Sequence, residues 1–321
     1  VSLAVSTDFP KSFKVGSDNF TYDETHPAAI TISDDADSNV IKVYYLTDNK
    51  GGETGGPDGI PDAYEAFVEY VYSPDKLTAA NGKVVTPSDG YEYAVDLREK
   101  NGVEFVKNAD GTIKLKDSIT TSGASAVRSA SIGNDNYAFD YWQYPDNGRK
   151  VYAKPGTDAV SIAGEIITNV APNATYTYTA YYAEDEVDKD NPGGSGPDGI
   201  PDKYEVTVTF KAVNGYFGNT GDTSRTTEVK KVVVLVDDNG QYSEDGSAKV
   251  KPVTPEAGNC PMLGFKFEGE WEPEIEESTV VTKDGNHEFT FTYEPEEEAE
   301  YTIIYHFVDA QGNELADDAT E

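Results

Sequence analysis

The sequence predicts a mostly β chain made of small modules in tandem. Three observations point there. Apolar and β-branched residues recur with period two in short runs. Helical spacing of i, i+3, i+4 is hard to find over three turns. One ten-residue block occurs twice, with the same kind of strand on either side. In chain order the runs are VIKVYYL (40–46), AFVEYVY (66–72), ATYTYTAYY (174–182), VTVTFKAV (206–213), KVVVLV (231–236), HEFTFTY (287–293) and YTIIYHFV (301–308). Clusters of Gly, Pro, Asp or Asn bound each run, as they bound strands. In TYTYTAYY, Tyr176 and Tyr178 share one face, and Thr175, Thr177 and Thr179 share the other. A half-buried strand needs that alternation, because successive side chains point to opposite sides.

The repeated block sets the module boundaries. GPDGIPDAYE (56–65) returns as GPDGIPDKYE (196–205), and only Ala63 against Lys203 differs. A Tyr-rich strand precedes each copy and a β strand follows it. EFTFTYEP (288–295) is a third closing strand, followed by the acidic spacer EEEAE. The expected organisation is a partial module over 1–47, a linker over 48–65 and a second module over 66–184. The repeated linker follows over 185–205, then a third module over 206–294. Residues 295–321 are a linker and the start of a fourth module. Modules of this size can each bury a small core.

Composition narrows the partners. Among 321 residues, 25 Lys and Arg stand against 59 Asp and Glu, a net charge of −34. Phosphate backbones and anionic lipid surfaces are held mainly by Lys and Arg, so neither nucleic acid nor such a surface is expected as a partner. The longest aliphatic run, Val232 to Val236, is too short to span a bilayer. One cysteine, Cys260, rules out an internal disulfide and a cysteine-based metal site. Aromatic residues make up 12% of the chain, which argues for folded cores in spite of the charge. A start at Val1 and a single Met, Met262, read as a fragment or processed form of a longer chain. A monomer is expected.

TISDDADSNVIKVYYLTD followed by the GPDGIPD block resembles repeat segments of modular surface proteins of Gram-positive gut Firmicutes. These carry mucin-binding-protein-like and internalin-B-repeat-like domains. FDYWQYPDNG (139–148) before TYTYTAYYAE, and FKFEGEWEPE (265–274) before HEFTFTYEP, resemble the end of an internalin-B-type repeat. The likeness covers about residues 26–296. It implies β-grasp-like or immunoglobulin-like modules, an extracellular place on a bacterial cell surface or wall, and an adhesive or stalk role. Host mucin, a glycan or a matrix protein is the implied partner, and no catalytic residue is implied. The alternative is a carbohydrate-binding array that contacts mucin glycans directly.

The GPDGIPD block also carries the chemistry of a candidate calcium site. Calcium asks for hard oxygen ligands, a Gly at the sharp turn and a late Glu that can bind through both oxygens. On a twelve-residue loop, Asp58, Asp62 and Glu65 take positions five, nine and twelve, and Asp198, Asp202 and Glu205 do the same in the second copy. Positions one and three hold Thr54 and Gly56, or Gly194 and Gly196, so two carboxylates are missing. Asp48, or Asp188 and Asp190, could fold back to replace them. The other reading is a bare turn, in which Pro57 and Pro61 fix φ, Gly59 is the permissive residue and Asp caps. Either way the block sets the angle between modules.

Trp142 and Trp271 stand just before closing strands. They read as core residues, or as platforms for a pyranose face. With 59 acids, pairs at glycosidase spacing arise by number alone, so none is singled out as catalytic. His287 and His306 fall in alternating runs, and Cys260 reads as a small buried hydrophobe. Lys42, Lys211 and Lys231 are candidates for the Lys–Asn isopeptide crosslinks of related stalk domains.

Overall fold

A computed structural model describes residues 8–23, 33–35, 37, 39–40, 42–52, 56–79, 93–156, 159–192, 194–219, 226–253, 259–297, 303–314 and 319–320. The chain is mostly β. Among the described residues there is no α-helix, and Asp62–Tyr64 and Asp202–Tyr204 are single 3-10 turns. Two compact units form. The first comprises 1–206 with 232–248 and 282–285, and the second comprises 207–231, 249–281 and 286–321.

The first unit opens with a three-stranded antiparallel sheet of β1 (Ser12–Val15), β2 (Asp18–Tyr22) and β3 (Tyr45–Thr47), in that order. Its main sheet has seven strands: β4 (Glu65–Ser73), β5 (Thr78–Ala79), β6 (Tyr93–Asp96), β7 (Ser129–Ile132), β8 (Asp135–Gln143), β9 (Lys150–Tyr152) and β10 (Thr175–Glu184). Their order is β5-β7-β8-β10-β4-β6, with β9 added to β8. β4 is parallel to β10, with Thr175 opposite Phe67 and Tyr181 opposite Ser73. β8 is antiparallel to β10 on the other side.

A second sheet is built from β11 (Glu205–Val213), β12 (Glu228–Val234), β13 (Phe265–Glu272) and β14 (Glu288–Pro295), in the order β12-β11-β14-β13. It repeats the pattern of the first. The strand after the GPDGIPD block, β11, lies parallel to the closing strand β14, and the tryptophan-bearing strand β13 lies antiparallel to β14.

The core of the first unit is rich in tyrosine. On β10 the face of Tyr178, Ala180 and Tyr182 is buried, as the alternation requires. Tyr70 stacks on Tyr178 at 5.1 Å and meets Trp142 edge-on at 6.3 Å. Phenols bury as much area as aliphatic side chains if their hydroxyls find acceptors. The Tyr182 hydroxyl donates to the Val127 carbonyl at 2.7 Å, and that of Tyr178 to Glu165 Oε1 at 2.7 Å. A chain with few aliphatic residues can build a core this way.

Two expected strands are shorter than their sequence runs. VIKVYYL contributes only its end, Tyr45–Thr47, to a strand. In YTIIYHFV, residues 301–302 lie outside the described residues, only Ile304–Tyr305 form a strand, and Val308 makes a single bridge to Glu314. Alternation there does not come with burial, since Ile304, Tyr305, Phe307 and Val308 are all exposed.

Candidate functional site

Both GPDGIPD blocks fold into the same elbow, and both lie in the first unit. Each begins where a strand ends on a buried aspartate, Asp48 after β3 and Asp185 after β10. The backbone N–H of Asp48 donates to the Asn19 carbonyl at 2.9 Å, and that of Asp185 to the Asn136 carbonyl at 3.0 Å. In return the Asn19 N–H donates to Asn49 Oδ1, and the Asn136 N–H to Glu186 Oε1, both at 2.8 Å.

The buried carboxylate then fastens the glycine-rich turn. Asp48 accepts the N–H groups of Asp58 at 3.1 Å and Gly59 at 3.0 Å. Asp185 accepts those of Asp198 at 3.0 Å and Gly199 at 2.9 Å. Gly59 and Gly199 have φ of +96° and +83°, a region that side chains with a Cβ rarely enter. Asp58 and Asp198 each cap the N–H two residues on, at 2.8 and 2.9 Å. The third aspartate reaches back across the loop. Asp62 Oδ1 accepts from Asn49 and Lys50 at 3.1 and 3.2 Å, and Asp202 Oδ1 from Glu186 and Val187 at 2.9 Å each.

Past the Pro, Tyr64 and Tyr204 close the 3-10 turn and put their hydroxyls on buried aspartates. Tyr64 donates to Asp23 Oδ1 at 2.8 Å and Tyr204 to Asp140 Oδ1 at 2.6 Å. Their carbonyls accept from Leu97 and Leu235, both at 2.8 Å. Lys203, the one substitution between the copies, adds an ion pair to Asp140 in the second elbow.

The last block residue behaves differently. Glu65 is fully buried, and among the described residues neither of its carboxylate oxygens meets a hydrogen-bond donor, the neighbouring side chain being the Asp58 carboxylate. Both Glu205 oxygens are likewise buried and unpartnered. Among the described residues six buried side-chain oxygens lack partners, and these glutamates own four of them, so the lack belongs to the elbow rather than to scattered packing faults. Burial pushes the Glu65 carboxyl up to about 9, with the charges of Asp58, Asp48 and Asp62 adding to it. Glu205 rises to about 8, through burial and then Asp198, Asp202 and Asp185. Asp185 rises to about 6 by burial, in spite of its two N–H donors, and burial raises Asp62 as well. Gly51, at φ +93°, lets the backbone pass close by. A Cβ there would stand 3.1 Å from both Asp58 Oδ2 and Glu65 Oε2. Beside the first elbow lies a half-open cavity of about 480 Å³, lined by Lys11, Lys14, Thr21, Asp48 and Asp58 among others.

Among the described residues no three His, Cys, Asp or Glu side chains form a group that could hold a metal ion as they stand. Thr54 lies outside the described residues, and the carboxylate that folds back over the turn is Asp48 in the first copy and Asp185 in the second, each accepting backbone N–H groups. Asp188 and Asp190 do not take that place. Asp188 caps the N–H groups of Asp190 and Asn191, and Asp190 pairs with Lys189.

Asp23 and Asp140, with Asn19 and Asn136, escaped the sequence reading. Their signal was a second repeat, DNFTYD (18–23) against DNYAFD (135–140), lying far from the block it serves.

Trp142 is 0% exposed, packed against Tyr70 and Phe139, and offers no face to a sugar. Trp271 is half-buried, with Phe217 stacked on it at 6.3 Å and Phe210 and Phe291 against it edge-on. Lys211 pairs with Glu288 at 2.7 Å, Lys231 lies over the Phe210 ring, and Lys42 is exposed outside any strand. Cys260 falls in the short strand Asn259–Pro261. No described helix is long and apolar enough to cross a membrane. The chain matches no protein-family model and no curated protein.

Proposed function

We propose that this chain is a non-enzymatic segment of an extracellular bacterial adhesin or stalk, whose stiff elbows fix how successive β modules are presented. One observation carries the reading: the same lattice of carboxylate-to-N–H and backbone bonds recurs in both elbows, at closely matching distances. Repetition of a joint is what a modular array requires, whereas an active site has no use for two copies built into turns. The acidic surface, with −34 of net charge, suits a chain held apart from its own copies. The sequence resemblance adds the cell surface or wall as the location, and host mucin, a glycan or a matrix protein as partner.

A second reading, a carbohydrate-binding array, draws on a cleft rather than on the tryptophans. A space of about 640 Å³ is bordered by Tyr141, Tyr152, Lys150, Lys203, Asp237 and Asp245. Half-buried phenol rings beside polar groups suit sugar faces.

The two separate on a glycan array, with a turnover assay on mucin sugars run in parallel. The stalk reading expects no glycan signal, no turnover, and an N-terminal epitope that stays accessible when the chain is displayed on a cell wall. Binding lost in Tyr152→Ala moves the assignment to the second reading. Hydrolysis abolished by one carboxylate substitution overturns both.

A further inference from the structure

Among the described residues, the carboxylate oxygens of Glu65 and Glu205 are buried without a hydrogen-bond donor. A carboxyl group taken out of water is normally met by donors or by a cation. Asp48 and Asp62 satisfy this rule with backbone N–H groups. Glu65 and Glu205 do not satisfy it, and their nearest companions are further carboxylates. The lysines of the two loops leave the carboxylates without a direct ion pair, although the charge of Lys189 offsets part of the rise at Glu205. Lys50 holds its Nζ over the Phe67 ring at 4.8 Å, and Lys189 holds its Nζ 2.8 Å from Asp190.

We infer that each elbow takes one hard divalent cation of the calcium class, bound by Glu65 with Asp58 in the first copy and by Glu205 with Asp198 in the second. The inference rests on the reading of the elbows as structural joints and names what completes them. Three features select the ion. Every side-chain donor at the site is a carboxylate oxygen, which favours a hard cation over zinc or copper. Gly51 brings the backbone against Asp58 Oδ2 and Glu65 Oε2 with no Cβ in the way, leaving that side of the carboxylates to carbonyl and water ligands. The glycine-rich loops differ in length between copies, from Asp48 to Asp58 and from Asp185 to Asp198, while the carboxylates keep their places. Such tolerance suits calcium, whose coordination is flexible, better than magnesium, which demands a near-ideal octahedron. Because no three His, Cys, Asp or Glu side chains are already gathered at metal-ligand spacing among the described residues, backbone carbonyls and water complete the shell as the ion loads.

The test is a count of bound ions. The chain is stripped with a chelator, then equilibrated at roughly 5 mM calcium, above the ~0.1–1 mM dissociation constants of extracellular modules. Bound metal per chain is measured by equilibrium dialysis with elemental analysis. Two ions per wild-type chain are expected, one each for Glu65→Gln and Glu205→Gln, and none for the double variant. Thermal melts with and without calcium give a second readout: an upward shift in wild type, halved in each single variant and absent in the double. Should a glutamine variant fail to fold, Asp58→Asn replaces it in the first elbow, since Asp58 is exposed and its loss leaves the core intact. No bound calcium in wild type, or ions that persist in the double variant, overturns the inference. A single ion overturns it for the elbow whose substitution leaves the count unchanged. The joint reading is judged separately on the chelated chain, so the two can fail independently.

Discussion

Glu65 is a carboxyl group that folding removes from water without supplying a donor, and the consequence appears as a pH dependence. Its ordinary value of 4.5 rises to about 9 in the folded chain. Below 4.5 the folded and unfolded chains both carry the proton and nothing is lost. Between 4.5 and about 9 the unfolded chain has released a proton that the folded chain still holds, so stability falls as pH rises, by up to ~1.4 kcal/mol per pH unit for one such group. Glu205 acts with the same sign up to about 8, and Asp185 up to about 6. Carboxyls held low by partners, such as Asp96 beside Arg98, act only in the acid range and with the opposite sign. In chelator, urea melts should therefore show stability declining from pH 5 to pH 9. Glu65→Gln should flatten the decline and raise stability at pH 8. A flat profile in wild type, or a Glu65→Gln chain weaker than wild type at pH 8, contradicts the burial argument.

At the scale of the element, the elbow is held by aspartates that form no part of the ten-residue block. Each of Asp48 and Asp185 fastens two N–H groups of a turn, and hydrogen bonds to a charged group are worth about 1.5–3 kcal/mol apiece. Asparagine has one acceptor oxygen in place of two, so Asp48→Asn and Asp185→Asn should each cost about 2 kcal/mol in chelated urea melts. Losses below ~0.5 kcal/mol, the size of an ordinary surface substitution, would remove these residues from the joint. The division between what could and could not be read in the sequence follows the same line. The turn was legible because Pro57, Gly59, Pro61 and their copies each impose a local backbone constraint. The strands β4, β10, β11 and β14 were legible because burial on one face enforces period two. Asp185 looks like any other acid until the chain brings it over the turn, and loops of unequal length hide its equivalence to Asp48. The calcium-loop spacing singled out Glu65 and Glu205, whose oxygens are buried without donors, and offered Asp48 in the first copy but not Asp185 in the second. Trp142 gave no local sign of which face it would take, because a core aromatic and a binding aromatic share the same alternating strand.

For the whole molecule the deciding quantity is the imbalance of charge. Acids outnumber bases 59 to 25, so even if every Lys and Arg were paired, most of the acids would have no basic partner. Compacting the chain brings these charges together, while unfolding spreads them, so self-repulsion works against the folded state. Monovalent salt shortens the reach of that repulsion from about 30 Å at 0.01 M to about 10 Å at 0.1 M. It also weakens the surface ion pairs, such as Lys266 with Glu268 and Glu294, but exposed pairs contribute only about 0–1 kcal/mol each. The repulsion among unpaired acids is the larger of the two effects, and it sets the sign. In chelator at neutral pH, raising sodium chloride from about 0.01 M to about 0.1 M, which draws the screening length down to about 10 Å, should raise the melting temperature. The gain should shrink as pH is lowered toward the isoelectric point of about 4.2, where the net charge that drives it vanishes. A melting temperature that falls with salt at neutral pH would mean that local ion pairs, not the excess of acids, govern the electrostatics of this chain. The acidic surface would then lose its standing as a device for keeping copies apart.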